Sequence, residues 1–103
     1  MKVSVLPQID AGMREELEIE MDEERSTIPA ILSKFCELLG LQPQRYDDLL
    51  KRPVSIFWTR TLVKNGKVIG RFSMDGRLDV KDKKDLEIGA GDELVLFGPA
   101  EGG

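Results

Sequence analysis

The most distinctive chemical feature of this chain is its Gly-Gly end, Gly102 and Gly103. The chain contains no histidine, which excludes Ser-His-Asp and Cys-His catalysis, histidine metal sites and imidazole acid–base chemistry. A main-chain carboxylate is a poor electrophile and reacts only after another enzyme activates it, for instance as an acyl-adenylate. Residues without a Cβ suit a segment that must enter a narrow channel to reach such an enzyme.

The other candidate residues indicate structure rather than chemistry. Cys36 flanks an apolar helical stripe and has no histidine to activate it, so we interpret it as a small core residue. Gly89-Ala90-Gly91 precedes a strand and not a helix, which does not fit a dinucleotide-binding loop. Four aspartates have the wrong spacing for an EF-hand and are interrupted by lysines, so no metal site is predicted: Asp75, Asp79, Asp82 and Asp85.

Length and composition set the class of protein. The chain has 103 residues, enough for one domain. Its 15 Lys and Arg against 19 Asp and Glu give a net charge of −4, which argues against nucleic acid and suits a basic protein surface. No apolar stretch approaches the roughly 20 residues of a membrane helix, and no secretory signal is visible. One cysteine allows no internal disulfide. We therefore expect a cytoplasmic protein with no membrane partner.

The first half of the chain predicts a hairpin followed by a helix. Lys2–Pro7 has the pattern of a strand. In Glu15–Met21 apolar and acidic residues alternate strictly, with Leu17, Ile19 and Met21 on one side and glutamates on the other. This pattern predicts a strand with one buried and one solvent-exposed face. A helix is predicted from about Ile28 to Leu39.

Residues at the two ends of the predicted helix are of the types that begin and end helices. Ser26 or Thr27 can cap its N-terminus, and Pro29 lies in the first turn, where a missing N–H costs nothing. Gly40 can end the helix in a left-handed conformation. One apolar stripe recurs at helical spacing: Ile28, Ile31, Leu32, Phe35, Leu38 and Leu39.

The second half predicts strands. Tyr46–Arg52 is interpreted as a short helix closed by Pro53. Asn65-Gly66 predicts a type I′ hairpin, Met74–Arg77 another turn, Val80–Asp85 a solvated charged loop, and Glu93–Gly98 the last strand. One helix cannot bury its stripe alone, so a two-layer α+β domain is expected. Its predicted core is Val3, Val5, Leu17, Ile19, Ile31, Leu32, Phe35, Leu94 and Leu96.

The last 18 residues, LEIGAGDELVLFGPAEGG (86–103), carry a family resemblance. They resemble the C-terminus of the ubiquitin-like sulfur carriers, a family that includes the small subunit of molybdopterin synthase and the thiamine sulfur carrier protein. STIPAIL resembles that family's helix start, and LVKNGKVI its central hairpin. The resemblance implies a β-grasp fold, a mixed sheet of four or five strands on one main helix with the first and last strands parallel at its centre. Residues 1–98 would form the domain and 99–103 a flexible tail.

The resemblance also implies a function. A relative of ubiquitin-activating enzymes, using ATP, would adenylate Gly103, and the adenylate would become a thiocarboxylate, with Gly102 as steric guide. The chain would bind no cofactor and would be no enzyme itself. The tail FGPAEGG is closer to the molybdopterin branch, with the synthase large subunit as sulfur acceptor. The alternatives are a protein modifier joined through Gly103 to lysines, a thiamine-pathway carrier, and an interaction module whose Gly-Gly end is incidental.

The chain departs from the family pattern in two respects. Gly98-Pro99 stands where the family often has Pro-Pro, and residues 42–59 and 70–84 are interpreted as insertions. Alternation places Val95 and Phe97 on the open face of the sheet, which with Pro99 would dock the partners. The alternative is that the insertions cover this pair. Either Phe57 or Trp58 should face the core.

Overall fold

The computed structural model describes residues 1–10 and 12–98. Its first half contains β1 (Lys2–Leu6), β2 (Glu16–Glu18), β3 (Arg25–Thr27) and the helix α1 (Ile28–Leu39). The predicted hairpin is confirmed: β1 and β2 are antiparallel, with Val3 opposite Leu17. The strand β2 is shorter than the alternating segment that predicts it.

Helix α1 has the predicted bounds and caps. The hydroxyl of Thr27 accepts a hydrogen bond from the Ala30 N–H at 3.4 Å, Pro29 lies in the first turn, and Gly40 is left-handed with φ 67°. The prediction for Leu38 is wrong, because its side chain is 60% exposed. The buried stripe extends to Cys36 on one flank, and Leu38 lies beyond the opposite edge.

The second half consists of short strands and one 3₁₀ turn at Lys83–Leu86. The strands are β4 (Gln44–Asp47), β5 (Arg52–Ser55), β6 (Thr61–Lys64), β7 (Lys67–Phe72), β8 (Leu78–Val80), β9 (Glu87–Gly89) and β10 (Glu93–Phe97).

The short helix predicted at Tyr46–Arg52 is wrong, because this segment belongs to the antiparallel hairpin β4–β5. The Asp47 carboxylate accepts hydrogen bonds from the N–H groups of Leu49 and Leu50 at 2.9 and 2.8 Å. This local bonding competes with helical bonding and favours a turn. Pro53 does not end a helix but lies within β5, opposite Tyr46.

Two predicted turns are confirmed. Asn65 and Gly66 join β6 and β7 with φ values of 50° and 82°, and Gly76, with φ 89°, lies in the turn between β7 and β8. The charged loop predicted at Val80–Asp85 is only partly correct. Val80 ends β8, and the Asp82 side chain caps the 3₁₀ turn by accepting from the Lys84 N–H at 3.0 Å.

The main sheet is mixed and has six strands in the order β2-β1-β10-β6-β7-β8. The first and last strands are parallel neighbours near its centre, with Val3 opposite Leu94 and Leu6 opposite Phe97, so that predicted pairing is confirmed. The sheet exceeds the predicted four or five strands because β8 adds an edge strand beside β7. Two further pairs, β3–β9 and β4–β5, lie outside this sheet.

The core lies between α1 and one face of the sheet. All predicted core residues are buried except Leu17, which is half-buried on the edge strand β2. Phe57 is buried while Trp58 is half-buried. The Phe57 ring lies 6.3 Å from that of Phe35 and 5.5 Å from that of Phe72. Residues 42–59 are therefore anchored to the common core.

Candidate functional site

The predicted site can be followed along β10 as far as Gly98. Val95 and Phe97 lie on β10, whereas Pro99, Gly102 and Gly103 lie outside the described residues. The predictions that 99–103 form a flexible tail and that Gly103 is the reacting residue fall on that same undescribed part.

The start of β10 is fixed by hydrogen bonds between two turns. Asp92 accepts from the Gly89 N–H at 2.7 Å and from the Asn65 side-chain amide at 2.8 Å, and these bonds lower the pKa of the Asp92 carboxyl. Asn65 also accepts from the Glu93 N–H at 2.8 Å. Because side chains alternate along a strand, this anchor decides which residues of β10 face the core.

The two faces of β10 have different surroundings. Leu94 and Leu96 are 0% exposed and belong to the core. Val95 is half-buried and Phe97 is 45% exposed. The predicted orientation of all four side chains is confirmed.

Neighbouring strands extend the exposed face of β10. Direct partners in a sheet share a face. Leu6 and Thr61 flank Phe97, Val63 lies opposite Val95, and Val68 lies opposite Val63. We call the five apolar residues of this face the outer patch: Leu6, Val63, Val68, Val95 and Phe97.

Three members of the outer patch are open among the described residues. Phe97, Leu6 and Val68 are exposed, whereas Val95 is half-buried and Val63 is buried. The segment 42–59 instead inserts Phe57 into the core, and 70–84 extends the sheet through β8. The alternative in which these segments cover Phe97 is therefore not seen, and the aromatic ring is available to a partner.

Gly98 is held tightly where β10 ends. Its N–H donates to the Leu6 carbonyl O at 2.7 Å. A Cβ on Gly98 would lie 2.8 Å from Cδ of Pro7, closer than real Cβ contacts allow. A proline here would lose this hydrogen bond as well as meet the clash. Gly98 itself is therefore held in place at the end of β10.

A buried arginine lies next to Gly98. Arg60 is 7% exposed, and its Nη1 would lie 3.3 Å from a Cβ on Gly98. Burial lowers the pKa of the Arg60 guanidinium. Sequence reasoning missed this residue, since nothing in the local pattern before β6 marks it as buried. The alternation of Thr61, Leu62 and Val63, by contrast, does indicate that Val63 shares a face with Phe97 once the pairing is known.

Cys36 belongs to the core, as its interpretation as a small core residue predicts. Cys36 is buried, and burial raises the pKa of its thiol, which disfavours the reactive thiolate. It lines a mainly apolar pocket of about 640 Å³ between α1, the β4–β5 hairpin and the turn at Gly76. Asp75 forms an ion pair with Arg52 at 2.7 Å. Across residues 1–10 and 12–98, no group of three or more acidic or cysteine side chains is placed to hold a metal ion.

No helix in the described part of the chain is long and apolar enough to cross a membrane. Comparison with family models, curated proteins and solved structures gave no match to this chain. Function is therefore inferred from the residues and their geometry.

Proposed function

We propose that this chain is a β-grasp, ubiquitin-like sulfur carrier that acts in the cytoplasm and is modified at Gly103. The observation that carries the proposal is the position of β10. This strand lies at the centre of the sheet, parallel to β1, and brings Gly98 to its end beside the exposed Phe97. The Gly-Gly sequence begins four residues beyond Gly98.

The topology supports the β-grasp part of the proposal. A β-grasp domain packs a mixed sheet on one main helix and pairs its first and last strands in parallel at the centre. The order β2-β1-β10-β6-β7 and the position of α1 after the first hairpin agree with that arrangement. The additional edge strand β8 and the hairpin β4–β5 lie in the segments interpreted as insertions.

The proposed reaction takes place on the main chain and in two steps. A carboxylate oxygen of Gly103 attacks the α-phosphorus of ATP, and pyrophosphate leaves. A sulfur nucleophile at the oxidation level of sulfide then attacks the acyl carbon, and AMP leaves with the oxygen. The described residues of this chain offer no histidine and no exposed thiol for either step. The activating enzyme would therefore provide ATP binding and proton transfer.

The outer patch is the proposed docking surface for the activating enzyme and the sulfur acceptor. Phe97 is an exposed aromatic beside Val95, and such residues commonly carry interface energy. Pro99, which follows Gly98 directly, would continue this contact. The net charge of −4 suits a basic partner surface. The proposed acceptor is the large subunit of a molybdopterin synthase, or its tungsten-cofactor counterpart.

Mass spectrometry of the full chain, purified from its native host with its partners, tests this proposal. A sulfur carrier gives a fraction in which one oxygen of the Gly103 carboxylate is replaced by sulfur. Gly102→Val should reduce this fraction strongly, since a β-branched side chain restricts the backbone and obstructs a narrow channel. Leu49→Ala, at an exposed turn remote from β10 in the sequence, is the control and should leave it unchanged.

Other outcomes of the same measurement favour the alternatives. Isopeptide adducts on lysines would indicate a protein modifier. A thiocarboxylate delivered to a thiazole synthase would indicate the thiamine branch. If neither species forms, and a chain lacking Gly103 still complements loss of the gene, the Gly-Gly end is incidental and the proposal is wrong.

A further inference from the structure

Arg60 is a buried cation without an acidic partner among the described residues. Its side chain belongs to a residue that is only 7% exposed, and none of the ion pairs formed within residues 1–10 and 12–98 includes it. The one hydrogen bond that the guanidinium makes to these residues runs from Nη1 to the Leu96 carbonyl O at 3.5 Å. A guanidinium has five N–H donors, so most of them remain available.

A second arginine, Arg45, provides the comparison with a guanidinium that has a carboxylate partner. Arg45 donates through Nη1 to one carboxylate oxygen of Asp10 at 2.6 Å and through Nη2 to the other. This bidentate pairing raises the pKa of Arg45, whereas burial without such a partner lowers that of Arg60. The more exposed arginine thus has a carboxylate, and the more buried one has none in the described structure. Burying an unpaired charge is costly.

The Arg60 side chain lines a pocket of about 290 Å³ at the end of the sheet. We call it the Arg60 pocket. No side-chain nitrogen or oxygen in the described residues is both sealed from solvent and without a hydrogen-bond partner, so the unbonded guanidinium nitrogens of Arg60 reach solvent. The lining residues are Ile9, Arg45, Tyr46, Asp47, Val54, Ser55, Ile56 and Arg60.

We infer that the Arg60 pocket is a binding site for a single carboxylate group, which pairs with the Arg60 guanidinium. The charges of the lining favour a monoanion. Arg45 is already neutralised by Asp10, and the Asp47 carboxylate adds negative charge. Arg60 is therefore the guanidinium of this lining that has no carboxylate partner among the described residues, and the Asp47 carboxylate would repel a phosphate dianion more strongly than a monoanion. The planar guanidinium also fits a carboxylate in bidentate geometry.

The position of the pocket defines two sources for this carboxylate. Arg60 adjoins Gly98, so the pocket lies where the segment 99–103 begins. Glu101 is the acidic side chain of that segment. The other source is a carboxylate of a separate molecule bound at the end of β10. The inference stands on the pocket itself and does not require the function proposed above.

NMR of the full-length protein labelled with ¹⁵N tests the inference directly. The Nε–Hε signal of Arg60 is followed during titration with sodium acetate, with sodium chloride at equal ionic strength as the control. We expect the Arg60 signal to shift and saturate with acetate only, while that of the exposed Arg14 stays unchanged. Arg60→Lys keeps the charge but loses the planar fork, so its acetate affinity, measured from nearby backbone signals, should fall about tenfold.

Glu101→Gln separates the two sources. If Glu101 occupies the pocket, this substitution alone shifts the Arg60 signal and strengthens acetate binding. If a separate molecule provides the carboxylate, acetate binds equally well to both chains. Both results support the site. Two results together would overturn the inference. In these, acetate shifts the Arg60 signal no more than chloride does, in the unsubstituted protein and in Glu101→Gln, and Glu101→Gln itself does not shift that signal.

A second measurement distinguishes a binding role of Arg60 from a purely structural role. Acetate that binds the native state raises the melting temperature by mass action, and Arg60→Met should abolish that rise, whereas Arg14→Met should preserve it. If Arg60→Met does not fold, the NMR titration of the unsubstituted chain decides the question alone. An equal rise in Arg60→Met and in the unsubstituted chain would contradict the inference.

Discussion

The inner and outer faces of β10 carry similar side chains in different surroundings. Leu94 and Leu96 are fully buried between the sheet and α1. Val95 and Phe97, in the alternate positions, face the other side of the sheet, where Val95 is half-buried and Phe97 is 45% exposed. Both faces are apolar by sequence, so composition does not distinguish them. Their difference comes from the presence of α1 on one side only.

This difference separates folding from binding on one strand. An apolar side chain that stays exposed in the native state contributes little to stability, because it removes little surface from water. It becomes useful when another protein covers it. Substitutions at adjacent positions of β10 should therefore affect different properties.

The largest effect is expected for Leu96→Ala on the inner face. Leu96 is fully buried, so its truncation removes a transfer contribution and leaves a cavity. The free energy of unfolding should fall by about 2–5 kcal/mol. Urea denaturation followed by circular dichroism, with unchanged m-value, measures this loss. A change below about 1 kcal/mol would mean that neighbouring side chains fill the space left by Leu96 and that the two faces differ little in their contribution to stability.

The next effect is expected for Phe97→Ala, on binding. Its stability should change by less than about 1 kcal/mol, because the ring is already half in solvent. Affinity for the activating enzyme should fall by about 2 kcal/mol or more, the cost typical of an aromatic interface anchor. Calorimetry with the purified activating enzyme measures this affinity, and Leu49→Ala serves as the exposed-apolar control. Unfolding by Phe97→Ala with unaltered affinity in the folded fraction would place Phe97 in the core.

The sequence predicts the parts of the fold that depend on local chemistry. Thr27, Pro29 and Gly40 set the ends of α1 through backbone hydrogen bonding and backbone conformation. Asn65-Gly66 selects its turn in the same way. The apolar and charged residues of Tyr46–Arg52 suit a helix, yet the Asp47 side chain bonds to the following backbone N–H groups instead. Pairing of β1 with β10 is not visible in periodicity and is expected only from the family resemblance.

The candidate site is less predictable because it depends on distant contacts. Alternation along β10 predicts the exposure of Phe97. It does not reveal that Leu6 flanks Phe97, since the two residues are far apart in the chain and meet only through the parallel pairing. The burial of Arg60 is harder to predict, because the residues around it come from the loop after β1, the β4–β5 hairpin and the end of β10.

A smaller effect is expected for Gly98→Ala, at the boundary between the two faces and the segment that follows. The added Cβ would lie 2.8 Å from Cδ of Pro7, so the end of β10 must shift. Stability should fall by about 1 kcal/mol, the low end for an added methyl group, because the site lies at the end of a strand. Gly91→Ala is the matched control, since a Cβ there meets nothing within 4 Å. Equal melting temperatures for the two variants would show that Pro7 moves aside freely.

The smallest effect is expected at the start of β10, for Asp92→Asn, and it depends on pH. Hydrogen bonds from Gly89 and Asn65 hold the pKa of Asp92 below its usual 3.8 in the folded chain. A lowered folded-state pKa gives a stabilisation that is present above the unfolded value and disappears as pH falls through the folded value. Stability measured by urea denaturation at neutral pH should therefore be slightly higher for the unsubstituted chain than for Asp92→Asn. The difference should shrink in acid below pH 3.8. Because Asp92 and Asn65 fix the start of β10, the backbone signals of Val95 and Phe97 should also shift in Asp92→Asn if that anchor holds the register. A stability difference that grows in acid would have the opposite sign and would mean that the Asp92 carboxylate is not stabilised by these bonds.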